Sequence, residues 1–199
     1  MMSKKNFIFI SMLFFSGIFY PLGLESSSIE KTDSFVFKDI RVFDGISVIP
    51  QATVVISDGK IESVSSETPP ALPEEYIVIE GKGKTLLPGF FDSHVHVIGK
   101  ETLSQVLVFG VTTIIDMFMD VQMMADIKKE QHLEEGKMAY LISPGTLATS
   151  PGGHGTQYGM AIPTLSSPED ASGFVSDRIK EGSDFIKIIY DDGSTYGYN

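Results

Sequence analysis

From Thr85 to Tyr190 the chain alternates apolar segments of strand length with segments of helical period, and that rhythm admits few folds. Residues 90–95 read as a strand entered through Pro88-Gly89. Residues 101–109 place Leu103, Val106 and Leu107 at helical spacing. Residues 111–115 form a β-branched strand, 121–135 a helix and 139–142 a strand. A loop rich in Gly, Pro, Ser and Thr covers residues 143–165. Ser167-Pro168 with Glu169 and Asp170 marks a helix start, with proline in the first turn and acids at the positive end of the dipole. That helix is expected to end near Glu181-Gly182, and residues 183–190 are expected as a fourth strand. Strands separated by helices predict a parallel sheet with covering helices.

Ahead of this segment the rhythm is different. Residues 34–81 hold short alternating runs punctuated by Asp44-Gly45 and Asp58-Gly59, each a hairpin signal. Thr68-Pro-Pro-Ala-Leu-Pro73 reads as a loop and residues 76–79 as a further strand. The chain therefore divides into a small β-unit, residues 34–84, and an α/β unit, residues 85–199.

The chemistry concentrates at strand ends. In His94-Val-His96 the period of two puts both imidazoles on one face, with Asp92 behind them. Two neutral imidazoles on one rigid face are half of a metal site; the alternative is a pair of surface histidines near a loop. Lys187 stands in Phe185-Ile-Lys-Ile-Ile, where a parallel strand would be buried on both faces. Lysine is almost never fully buried unpaired. Its ammonium must lose its proton, snorkel outward, or pair with a carboxylate such as Asp92 or Asp116. Asp116 ends the second strand, where it caps a loop or orients a ligand from behind. His154 lies in Ser150-Pro-Gly-Gly-His-Gly155, a loop that reads equally as substrate-contacting and as simply exposed. Tyr190, Asp191, Asp192 and Tyr196 line a substrate pocket or form a solvated acidic turn. His132, among charged residues, faces solvent, and Met117, Met119, Met123 and Met124 read as packing rather than as a soft-metal site.

The chain of 199 residues carries a formal net charge of -11, which argues against binding nucleic acid through its phosphates. Without cysteine it forms no disulfides. Lys4-Lys5, the apolar run from Phe7 to about Leu24 and the polar exit Glu25-Ser-Ser-Ser read as a signal peptide over residues 1–24. The protein is then expected to be exported, periplasmic or secreted, without stable membrane association once the signal is removed. The alternative is an N-terminal anchor, since the run approaches the length that spans a bilayer.

These motifs together resemble the amidohydrolase superfamily of metal-dependent hydrolases, in particular its imidazolonepropionase-like and prolidase-like members. Lys84-Thr-Leu-Leu-Pro-Gly-Phe-Phe-Asp-Ser-His-Val-His96 is similar to the family's first barrel strand. Ile40–Gly45, Ala52–Ile61 and Tyr76–Lys84 resemble its N-terminal β-sandwich. Phe109–Asp116 resembles its second strand, where an arginine often precedes the aspartate and Ile115 stands here. Pro151–Gly155 and Gly182–Ile188 resemble its third-strand loop and fourth strand. The resemblance implies a β-sandwich segment followed by the first half of a (β/α)8 barrel, ending after about the fourth strand. Such a barrel usually takes about 250 residues. A fragment of the family chain is the resulting expectation, with open strand edges that favour association. The resemblance further implies His94 and His96 as metal ligands and Lys187 as a carboxylated, metal-bridging ligand. It implies His154 and Tyr190 as substrate contacts. Zinc leads as the metal, one ion or two, with iron, manganese or cobalt as alternatives. The implied activity is hydrolysis of a carbon–nitrogen bond in a small molecule by metal-activated water. The family's remaining histidines and its general-base aspartate come from later strands and have no counterpart in this sequence. An inactive remnant, or a chain that needs a partner, is the rival expectation.

Overall fold

A computed structural model describes residues 34–67, 73–133 and 136–190. The signal segment, most of the proline-rich loop, Glu134, Glu135, Asp191, Asp192 and Tyr196 lie outside the described residues. The protein is mixed α/β and falls into two compact units that divide between Gly89 and Phe90.

The first unit is a five-stranded sheet. Strands β1 (Phe35–Phe43), β2 (Val48–Ser57) and β3 (Lys60–Ser65) are antiparallel neighbours, while β4 (Ile77–Glu80) and β5 (Thr85–Leu86) both pair with β1 in parallel. Both Asp-Gly signals are hairpin turns. Asp58 and Gly59 take φ of 50° and 70°, the two positive values a type I′ turn needs. At the other, the Asp44 carboxylate accepts the Ile46 and Ser47 amides at 2.8 and 2.7 Å, which holds it below the ordinary aspartate range. A bulge in β1 between Phe37 and Ile40, with Asp39 at φ 53°, resets the alternation so that Phe37, Ile40 and Val42 all enter the core. Val54, Ile56 and Leu86 complete that core.

The second unit holds a parallel sheet ordered β6 (Phe90–Val95), β7 (Val111–Asp116), β8 (Tyr140–Ile142). Helices α1 (Glu101–Val108) and α2 (Val121–Leu133) connect these strands, and α3 (Asp170–Glu181) follows. Each βαβ link matches the periodicity of its sequence. Leu103, Ile114, Met119, Met124, Ile127 and Leu141 form one buried cluster, so two of the four methionines pack in the core. α2 is also fastened by a polar contact: buried Gln131 accepts the Leu141 amide at 2.9 Å. α3 begins at Asp170, three residues past Ser167, because the Asp170 carboxylate takes the Ser166 and Ser167 amides. It ends at Gly182, whose φ of 83° only glycine adopts freely.

Two expectations are corrected. Residues 183–190 do not form a strand; their β-pairing is a single parallel bridge, Ala148 to Ile188. The partner segment cannot offer a regular ladder. Pro144 lacks an amide, Gly145 turns at φ 62°, and its amide goes to the Ser143 hydroxyl. Nor is the parallel sheet buried throughout. Phe90 and Phe91 are 49% and 68% exposed, since β6 is an edge strand among the described residues.

Candidate active site

The candidate site is built where the strands β6, β7 and β8 end. Relative to β7, β6 carries one extra residue between Asp92 and Val95. This bulge breaks simple alternation just where the histidines stand. His94 lies within β6 and His96 one residue beyond it. Their rings meet edge to face, with centroids 6.1 Å apart, and both side chains reach solvent. His96 Nδ1 faces the Phe118 carbonyl at 3.4 Å, which leaves Nε2 as its outward donor atom. The Asp92 carboxylate accepts the His94 amide at 3.3 Å.

Asp116 occupies the centre of this region and is completely buried. It accepts the Val97 amide at 2.9 Å and the Ser143 hydroxyl at 2.8 Å. Desolvation pushes its pKa up, and those hydrogen bonds together with nearby His96 pull it back. Lys187 is partly rather than fully buried, with Ile188 beside it 72% exposed. Desolvation lowers the Lys187 pKa and the Asp116 charge opposes that shift, so the two groups face one another electrostatically. The fold thus places Asp116 within electrostatic reach of both His96 and Lys187, from three segments of the chain.

His154 sits behind a row of rings. It meets Tyr158 edge to face at 5.8 Å and the Gln157 amide nitrogen at 3.2 Å. Tyr158 in turn packs on Phe118 at 6.0 Å. Phe118 is the residue whose carbonyl faces His96, so the glycine-rich loop reaches back to the histidine pair through two rings. Sequence reasoning missed Tyr158 and Phe118. A signal was present in Tyr158, an aromatic on a single 3-10 turn between Gly155 and Gly159, both at positive φ. Tyr190 is fully exposed at the edge of the described residues and touches none of these groups in any recorded hydrogen bond or ring contact.

The donor set fits a divalent metal in part. Two imidazoles share one strand end, and one has its second nitrogen turned to a carbonyl, a contact that metal-binding histidines commonly make. Among the described residues no third His, Asp or Glu joins them as a ligand group. A cavity of about 240 Å³ lies elsewhere, lined in part by Asp120, Val121, Thr146, Arg178 and Glu181, and includes none of the three expected ligands.

Proteins of similar fold are known. A protein from Bifidobacterium longum provisionally described as a prolidase is similar at TM-score 0.68 and 26% identity, over 81% of this chain and 42% of that one. A prolidase crystallised with N-methylphosphonate-L-proline is similar at TM-score 0.64 and 22% identity, over 78% of this chain and 46% of that one. In sequence, an adenine deaminase of Desulforamulus reducens is 30% identical over 134 residues, 62% of this chain and 22% of the deaminase. The neighbours of similar fold are prolidase-like amidohydrolases, and the deaminase is of the same superfamily. No family model matches it. The chain spans less than half the length of each of these relatives.

Proposed function

We propose that this protein is a metal-dependent hydrolase, acting on a carbon–nitrogen bond in a small amide, cyclic amide or dipeptide-like substrate. The observation that carries the reading is the His94–His96 pair at the end of β6, with His96 Nδ1 turned to a carbonyl. Its setting is a fold whose similar structures include a prolidase. We read the five-stranded sheet as part of the family's β-sandwich and the parallel sheet as the opening strands of its barrel.

His94 and His96 would hold the metal, zinc first among the candidates, with Lys187 as a bridging ligand once carboxylated. When bound, the metal supplies Lewis-acid polarisation of the scissile carbonyl and activation of water. The remaining steps belong to the chain. The Phe118 carbonyl accepts a hydrogen bond from Nδ1–H of His96 and so favours the tautomer that presents Nε2. Desolvation raises the neutral fraction of the Lys187 amine, the form whose nitrogen attacks carbon dioxide; the N–C bond forms and a proton leaves to solvent. Tyr158 and His154 offer an aromatic wall to the substrate, with Tyr190 as a further contact. Residues 1–24 fit export of the protein, and the net charge of -11 fits a small-molecule substrate better than nucleic acid.

A second reading has a specific observation behind it. With no third His, Asp or Glu grouped with the histidines among the described residues, the chain would be inert until another segment or chain completes the site. One experiment separates the two. The full chain is loaded with zinc, its metal content is measured, and it is assayed on Xaa-Pro dipeptides and N-acyl amino acids. Metal uptake with turnover, both abolished in His94→Ala, supports the hydrolase. Uptake without turnover favours the second reading, and no uptake sinks the metal assignment itself.

A further inference from the structure

Asp116 joins three strand ends that must stay in register for the candidate site to exist. One carboxylate oxygen accepts the amide of Val97, the residue next to His96, at 2.9 Å across 19 residues of sequence. The other accepts the Ser143 hydroxyl at 2.8 Å across 27 residues. The Ser143 oxygen itself takes the Gly145 amide. Ser143 passes the link onward. Its carbonyl accepts the Asp184 amide at 2.9 Å and its own amide donates to the Asp184 carboxylate at 2.8 Å. Lys128 of α2 holds that carboxylate at 2.7 Å. Asp184 begins the segment that carries Lys187.

The path therefore runs from the His96 backbone through Asp116 and Ser143 to the Lys187 segment. This link matters because regular pairing is weak here. β6 is bulged beside His94, and the Lys187 segment is tied by one bridge. Side-chain hydrogen bonds supply the register that backbone ladders leave open.

We infer that Asp116 is a positioning residue: its buried carboxylate clamps the ends of β6, β7 and β8 and so sets the separation of His94 and His96 from Lys187. The inference rests on the metal-site reading for its consequence, while the clamp itself is testable alone. Asp116 touches neither metal nor substrate in this account. Asn at 116 keeps an oxygen for the Val97 amide and an amide that reaches the Ser143 oxygen, so it preserves the clamp without the charge. Ala removes both contacts.

The test uses the full chain in four forms: parent, Asp116→Asn, Asp116→Ala and Ser143→Ala. Cobalt(II) titration followed by its d–d absorption reports ligand geometry, and hydrogen exchange of the Val97 amide, relative to amides within β7, reports the clamp. Asp116→Ala is expected to weaken cobalt binding by about 10–100-fold, as loss of an outer partner does. It should also alter the d–d spectrum and speed exchange at Val97. Asp116→Asn is expected to restore Val97 protection and most of the parent spectrum. Ser143→Ala, which leaves the Val97 contact in place, covers the case in which the Ala variant does not fold. It should loosen cobalt binding less and spare Val97. Parent-like cobalt binding in the Ala variant, or in Ser143→Ala if only that variant folds, overturns the inference. If the parent takes up no cobalt, the metal reading fails separately and Val97 exchange decides the clamp. Protection lost in Ala and kept in Asn supports it; equal protection in both overturns it.

Discussion

Replacing Gly81 by alanine is expected to destabilise the first unit, against the usual sign for a glycine-to-alanine change. Gly81 is buried just after β4, its amide donating to the Lys38 carbonyl at 2.7 Å. A Cβ there would stand 2.5 Å from Ile40 Cβ and 2.9 Å from both Ile40 Cγ1 and the Lys38 oxygen. None of these atoms can yield cheaply. Lys38 O is backbone held in the sheet, and Ile40, 3% exposed, is a β-branched core residue with little rotamer freedom. Overpacking of this kind costs about 1–3 kcal/mol. Reduced freedom of the unfolded chain returns about 0.4–1 kcal/mol. The difference spans roughly 0–2.6 kcal/mol, centred on a loss of about 1.3 kcal/mol, and each kcal/mol lowers the melting temperature of so small a unit by about 4–8 °C. Gly173 is the control. It lies within α3 with nothing within 4 Å of an added Cβ, so Gly173→Ala should stabilise by about 1 kcal/mol. Thermal unfolding of the full chain, followed through amide resonances of β1 and of α3, reads both effects. A Gly81→Ala protein as stable as the parent would refute the packing argument, and a destabilised Gly173→Ala would refute the helix argument.

Three further outcomes are expected. The Lys187 carbamate should appear by carbon NMR when the full chain is incubated with labelled bicarbonate and divalent metal; its absence, or its persistence in Lys187→Ala, removes the bridging role. The depressed Asp44 pKa carries a definite sign. The folded chain gives up this proton more readily than the unfolded one, so the contribution is present above the ordinary aspartate value of 3.8 and is lost as pH falls through the lower folded value. Asp44→Asn should flatten the acid limb of the stability profile of the first unit, and an unchanged limb would count against the turn contacts. Tyr158→Ala should raise KM for apolar substrates more than it lowers kcat in the metal-loaded protein, whereas equal falls in kcat and kcat/KM would place the ring nearer the reacting atoms.

Much of this protein can be read without its structure, because much of it is local physics. Type I′ turns need two positive φ values, and Asp58-Gly59 announces one. Helical spacing of Leu103, Ile127 and their neighbours needs only the chain's own period to define α1 and α2. His94-Val-His96 likewise stands out, since two imidazoles at one strand end are a two-residue pattern. What eluded sequence reasoning depends on atoms far apart in the chain. Residues 183–190 are as apolar and β-branched as many strands, yet Pro144 and Gly145 deny them a ladder. Asp116, which sequence alone leaves between a loop cap and a ligand orienter, becomes the centre of the site only when Val97 and Ser143 arrive beside it. Tyr158 gains its place through Phe118, 40 residues earlier in the numbering shown. Backbone periodicity and turn conformation are set by neighbours a few bonds away. A buried carboxylate is tolerated only where the whole fold delivers donors to it, and that delivery is a property of tertiary structure.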